Sequence, residues 1–304
     1  MAEVSRNELP GWAKVPFRGF RKNVIEIADV LHLACDGIAM LRARPQALEA
    51  LAETDEMLRE AFQLENVDEE AASHGEEAHE EPLADARRQA HLAQEEVEKN
   101  FPLLHAQAVI SLWGSLEALI KNFLGAWIGN EPTARESQIV RKLKVPLWQF
   151  DDMSPDERNL FTVELLEREV NSTLRQGVTR FEAVLELFDL DGKVDEAVGK
   201  DIFEMGHVRN VLVHRRGMVD RRLLEACPWL EAKVGETLQI THQDFGRYYM
   251  STTRYFFDVY NRVRKHFGEA PFVPLYLREA QQDDESSASS APNTSPPSSS
   301  DSAK

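Results

Sequence analysis

The chain is short of the features that usually name a protein's chemistry. Of 304 residues only Cys35 and Cys227 are cysteines. Two distant thiols with no CxxC pair and no Cys/His cluster exclude a disulfide scaffold and a structural zinc site, and they point to a reducing compartment. The chain contains no Gly-x-x-x-x-Gly-Lys, Gly-x-Gly-x-x-Gly, His-Glu-x-x-His or Gly-x-Ser-x-Gly. Phosphate-loop, dinucleotide-fold, zincin and serine-hydrolase chemistries are therefore excluded as readings. His74 and His79 stand among acids with nothing beside them to fix a coordination geometry, so neither a metal nor another cofactor is expected. Long apolar runs are missing as well. The most apolar stretch, Leu103 to Ile128, is broken by His105, Gln107, Glu117, Lys121 and Asn122, which are costly in lipid and ordinary in a helical bundle. Met1 to Arg6 lacks an apolar signal core. The expectation is a cytoplasmic protein without a membrane partner.

What is present is charge, unevenly placed. The net charge is −17, which disfavours long nucleic acid, yet much of the excess sits in residues 51 to 100, with 16 acidic against 4 basic side chains. The stretch Glu65 to Glu81 carries eight acids and no Lys or Arg and reads as a solvated or disordered linker. Conversely, Met205 to Arg222 holds Arg209, Arg215, Arg216, Arg221 and Arg222 against Asp220 alone. A local positive balance of this kind holds phosphate even on an acidic protein. From Glu279 to Lys304 the residues are mainly Ser, Pro, Asp and Gln, a composition that predicts a disordered tail.

A hydrophobic content of 42% suffices for real cores, and its periodicity is helical throughout. Arg21 to Arg42 and Gln46 to Phe62 flank Pro45 and predict a helical hairpin; the helical pattern resumes near Pro82. Ser154-Pro155-Asp156-Glu157 is a helix start with cap, N1 proline and N3 glutamate, predicting a helix to about Val170. Thr179 to Phe188 predicts another helix, ended by Asp189-Leu190-Asp191-Gly192. Thr241 with Asp244 opens a long helix marked by Phe245, Tyr248, Tyr249, Thr252, Tyr255, Phe256, Val259, Tyr260 and Val263. At this spacing its aromatics predict a core or dimer face more than base stacking. The organisation expected is an all-α chain: an N-terminal helical region over 1–64, an acidic linker over 65–81, a helical domain over 82–270 and the tail over 279–304.

Chemistry concentrates in Met205 to Gly217. A helix advances about 100° per residue, so Asn210 and His214 share a face, with Arg209 on the same flank. Met205, Val208, Val211 and Leu212 fall opposite and supply an apolar side. Gly206 and Val213 lie along the polar strip and leave room for a second helix. An imidazole exchanges a proton near neutral pH, and a guanidinium is a fixed cation shaped for phosphate. Together they suit RNA cleavage, in which a base activates the ribose 2′-OH and a cation balances the phosphorane. A plainer reading is available: Arg and His in a last helical turn complement the dipole, with Gly217 as the stop.

The segment Arg209-Asn210-Val211-Leu212-Val213-His214, continued by Arg215-Arg216-Gly217-Met218-Val219-Asp220, resembles the motif of the HEPN superfamily (higher eukaryotes and prokaryotes nucleotide-binding domains), in its ribonuclease-like branch. Ser111-Leu112-Trp113-Gly114-Ser115-Leu116-Glu117-Ala118-Leu119 is similar to the family's first core helix. Gly235-Glu236-Thr237-Leu238-Gln239-Ile240 before a long closing helix is similar to its downstream pattern. The resemblance covers roughly residues 101 to 267. It implies a HEPN-like helical bundle behind the N-terminal hairpin, and a metal-independent endoribonuclease that acts as a toxin or defence effector. Arg209 and His214 would be its catalytic pair, Asn210 a phosphate-orienting residue, Arg215 and Arg216 further phosphate contacts, and Glu117 a supporting acid facing a cation such as Arg209. One His214 supplies only half of the proton traffic, so a two-fold homodimer bringing a second His and Arg is expected. A neutralising partner protein is the further implication, and a non-catalytic module binding RNA, nucleotide or protein is the alternative.

Overall fold

Helix starts written in the local sequence organise this chain. The computed structural model describes residues 9–61, 69–145 and 147–274. These form twelve α-helices: α1 (Gly11–Leu41), α2 (Arg44–Ala61), α3 (Glu69–Glu98), α4 (Pro102–Asn130), α5 (Pro132–Glu136), α6 (Gln138–Lys142), α7 (Leu147–Asp151), α8 (Pro155–Glu169), α9 (Val178–Leu185), α10 (Glu196–Arg215), α11 (Arg221–Ala226) and α12 (His242–His266). No strand occurs among the described residues, only an isolated bridge between Met218 and Thr237. The fold is all-α. The tail expected over 279–304 lies outside the described residues.

α4 is the central helix. It begins with Pro102 at N1 after two left-handed residues, Asn100 and Phe101 (φ 59° and 54°), which make the sharp corner from α3. Its apolar residues face most directions, as they must in a helix enclosed by neighbours, and Val109, Leu112, Leu116, Phe123 and Leu124 are wholly buried. It is the one described helix long and apolar enough to cross a membrane, and over half of that window is buried in the bundle. α1 runs antiparallel to it, with Trp12 near Trp127 (5.8 Å), Phe17 near Phe123 (5.1 Å) and Asn23 Nδ2 donating to Ser115 Oγ at 2.7 Å. α12 runs parallel to it, with Phe245 beside His105 and His266 beside Trp127. α10 in turn lies antiparallel to α12, since Tyr248 meets Glu204 and Ser251 meets Asp201.

The cap signals hold. Ser154 and Thr241 each form a capping box, with Glu157 and Asp244 respectively. Two expectations are revised. α1 starts at Gly11 rather than Arg21 and runs through Pro16, and its early turns place Phe17, Phe20 and Val24 in the core shared with α4 and α12. The segment read as an acidic linker is helical from Glu69 onward, and Pro82, where helix was expected to resume, is inside α3. Glu and Ala are good helix formers, and α2 lies alongside, where Leu48 and Leu51 line a shallow groove with Pro82 and Leu83. Residues 65–68 and the side chains of His74 and His79 lie outside what is described.

Candidate functional site on helix α10

Buried carboxylates hold α10 in place. Glu204, 1% exposed, accepts from Tyr248 Oη at 2.6 Å, from Arg247 Nη2 at 2.5 Å and from the indole of Trp229. Arg247 also reaches Asp201 at 2.6 Å. Burial of Tyr248 beside this carboxylate pushes its phenol well above the ordinary value, so it stays a donor. A buried charge with three donors stands at the junction of α10, α12 and the segment after α11, and removing one partner would strand the rest, at a cost of about 3–5 kcal/mol. On the facing side of α10, Met205, Val208 and Val211 are buried and Leu212 half-buried, as the apolar spacing predicts.

The polar strip then faces out. Asn210, His214, Arg215 and Arg216 are exposed and Arg209 is partly exposed. Arg209 Nη1 donates to Asn210 Oδ1 at 3.2 Å, while its Nε is buried with no partner. His214 makes no hydrogen bond among the described residues, and the five-residue offset sets it roughly 140° around the helix from Arg209. Arg215 Nε lies 3.7 Å from Asp220 Oδ2, which draws off part of the local positive balance. Helix α10 ends through two left-handed residues, Arg216 at φ 55° and then Gly217 at φ 78°. The amide of Arg216 closes on Val211 O, and that of Gly217 does so at 3.1 Å.

Glu117 meets a cation, as its place on an apolar helix predicts, but the cation is Arg180 of α9 and not Arg209: its carboxylate accepts from Arg180 Nη1 at 2.5 Å. Because α10 is antiparallel to α4, Glu117 lies one turn beyond Trp113 while Arg209 lies about one turn beyond Gly206 the opposite way, so the two separate along the bundle. Gly206 gives no room to a second protomer. A Cβ there would come within 2.9 Å of the Trp113 ring, so that space is filled by α4 of the same chain. Val213 remains open at 44% exposed.

One residue of this face was not singled out from the sequence. His207 precedes His214 by seven positions, about 20° apart in projection, and the spacing itself was the available signal. Its Nε2 hydrogen-bonds to Gln176 Oε1 at 3.0 Å, and its ring lies 4.6 Å from Phe203. Burial lowers its pKa, with nearby Asp220 opposing the shift. The two imidazoles are about 10.5 Å apart along the axis, too far to serve one scissile phosphate together. Among the described residues no cluster of three or more His, Cys, Asp or Glu is arranged to hold a metal ion. Compared with protein-family models, curated proteins and solved structures, the chain matches none.

Proposed function

We propose that the exposed end of α10 is the phosphate and proton-transfer site of a metal-independent endoribonuclease built from two copies of the chain. The observation that carries this reading is the guanidinium of Arg209, held by Asn210 Oδ1 at 3.2 Å, on the same C-terminal end of α10 as the solvent-facing His214, which lies roughly 140° around the axis. The resemblance of Arg209 to Asp220 to the ribonuclease-like HEPN motif supports it from the sequence side.

In this mechanism His214 takes the proton of a ribose 2′-OH, and the 2′ oxygen attacks the adjacent phosphorus. The P–O5′ bond breaks, and the leaving oxygen receives a proton from the protonated His214 of the second copy. A 2′,3′-cyclic phosphate and a 5′-OH result. Arg209 balances the charge of the phosphorane, and Asn210, holding Arg209 at 3.2 Å, sets its orientation. Arg215 and Arg216 contact the flanking phosphates. Glu117, engaged with Arg180, positions α9 against α4 and has no part in the chemistry. The resemblance extends the proposal to a toxin or defence effector restrained by a partner protein, and the free thiols of Cys35 and Cys227 accord with a cytoplasmic setting.

The test is cleavage of single-stranded RNAs in EDTA by the wild type, His214→Ala and Arg209→Ala. The expected losses are at least about 100-fold for His214→Ala, with products ending in cyclic phosphate. Equal activity in wild type and His214→Ala, or none in any protein across varied RNAs, counts against it. One observation favours the alternative of a non-catalytic binding module: among the described residues His214 has no hydrogen bond to orient it. Binding that survives His214→Ala and fails in Arg209→Ala without product would decide for that alternative.

A further inference from the structure

A second surface joins cation and aromatic groups away from α10. A groove of about 760 Å³ between α1 and α8 is larger, but its amide-rich walls carry no charge pattern that selects an occupant. A smaller groove, of about 600 Å³, opens between α1 and the C-terminal half of α12. Its floor is Phe17, Phe256 and Tyr260, the last two stacked at 7° between planes. Along its α1 rim stand Lys14, Arg18 and Arg21, spaced i, i+4 and i+7 so that one face carries all three.

The opposite wall is an exposed ring held still. Phe272 is 41% exposed and stacks on Phe257 at 5.5 Å and 20°. Its backbone is bracketed by one side chain: Asn261 Nδ2 donates to Phe272 O at 3.0 Å and Phe272 N donates to Asn261 Oδ1 at 2.7 Å. Arg264 Nε ties down Ala270 O at 2.8 Å in the same segment. The exposed part of an apolar ring gains nothing for the fold, whereas a ring fixed there in advance is a stacking platform whose ordering entropy is already spent. The charges on the rim differ in availability. Arg264 is matched by Glu269 at 2.9 Å, and Glu269 is the one carboxylate lining the groove. Arg18 and Arg21 are exposed and make no hydrogen bond or ion pair among the described residues. On a chain of net charge −17, two unmatched guanidiniums beside a fixed aromatic wall select an anion that brings its own flat ring.

We infer that this groove binds a phosphate-bearing nucleotide with an unstacked base, the base on Phe272 and the phosphate oxygens on Arg18 and Arg21. The site uses no α10 residue. It faces the side of α12 that meets α1, through Phe256 and Tyr260, and α10 meets another side, through Tyr248 and Ser251. A duplex, whose bases are paired and enclosed, does not offer a ring to Phe272. The same ligand chemistry comes from single-stranded RNA or from a free nucleotide.

The experiment is fluorescence polarisation on the full chain with a labelled oligoadenylate of about 12 nucleotides, its duplex, and unlabelled AMP as competitor. Binding of the single strand in preference to the duplex is expected. AMP competing only at far higher concentration makes the strand the ligand, and AMP competing equally makes it the free nucleotide; both support the site. Phe272→Ala should weaken binding roughly 5- to 100-fold with an unchanged salt slope, and Phe272→Trp should restore it. The Arg18→Ala/Arg21→Ala double variant should weaken binding and reduce the salt slope by about 1.4. The groove variants should give the same losses when made in an Arg209→Ala/His214→Ala background, which removes any contribution of α10, so failure of the α10 proposal and failure of this one are separable. Binding indifferent to both groove variants overturns the inference. So does equal competition by a polyglutamate peptide together with an unaffected Phe272→Ala, which would show simple anion attraction.

Discussion

At the scale of single residues the informative places are those where a side chain is held against its own preference. Arg216 occupies the left-handed region at φ 55° at the C-terminal end of α10, a conformation costing a non-glycine residue roughly 1–2 kcal/mol. Arg216→Gly should therefore raise stability by about 1 kcal/mol in urea unfolding while weakening RNA binding. A fall in stability would mean that the arginine makes a compensating contact. His207 is held in the opposite sense. Burial lowers its pKa in the folded chain, so between that value and the ordinary imidazole value the unfolded chain binds more protons, and stability drops as pH falls through that range. His207→Gln should flatten the decline in urea midpoint between about pH 7 and 5. Burial also raises the Cys227 thiol to about 12, so it should stay unreactive toward thiol reagents at pH 8 until the chain unfolds. The candidate site was legible at this scale to the extent that its residues share one helix. Spacing alone placed Asn210 and His214 on one face, while Arg209 lies roughly 140° around the helix from His214. Spacing did not place Glu117, because its partner, Arg180, comes from α9, and no local pattern states which cation crosses between elements.

At the scale of elements, local chemistry decides where helices begin. Ser154 and Thr241 accept from the backbone amides of Glu157 and Asp244, at 3.4 Å and 3.1 Å, and those acids return the contact. Ser154→Ala and Thr241→Ala should each cost about 0.5–2 kcal/mol, read as a shift of the urea midpoint with an unchanged slope. These starts were legible because a cap involves only four consecutive residues. The start of α1 and the first turns of α3 were not. The periodicity reads from Arg21 and again from near Pro82, yet Pro16 and Pro82 are each inside a helix, since packing of flanking turns outweighs one lost hydrogen bond and a local kink. The same limit applies to Gly206, whose small size reads as an opening for a partner helix and is in fact occupied by Trp113.

At the scale of the whole molecule, stability is unequally distributed. α4, α10 and α12 supply most of the wholly buried large side chains, whereas α2 leaves Leu51, Met57 and Leu58 at 65%, 68% and 49% exposure. Hydrogen exchange should release the amides of α2 well before those of α4 and α12, and protection of α2 equal to that of α4 would show that something covers its apolar face. Both proposed sites sit on the well-buried part, α10 clamped through Glu204 and Arg247 and the α1/α12 groove through the core stack of Phe17, Phe256 and Tyr260.

By itself the sequence determined the all-α class, the cap positions, the apolar side of α10 and the exposed face that Asn210 and His214 share, because each follows from periodicity and bonding within a few consecutive residues. Only the tertiary structure decided that Glu117 serves Arg180, that Trp113 fills the space at Gly206, that α1 shares the core, and that Arg18 and Arg21 stand beside the ring of Phe272. Those are juxtapositions of residues up to about 250 positions apart, set by how apolar faces choose one another in a close-packed interior, and no local rule encodes that choice.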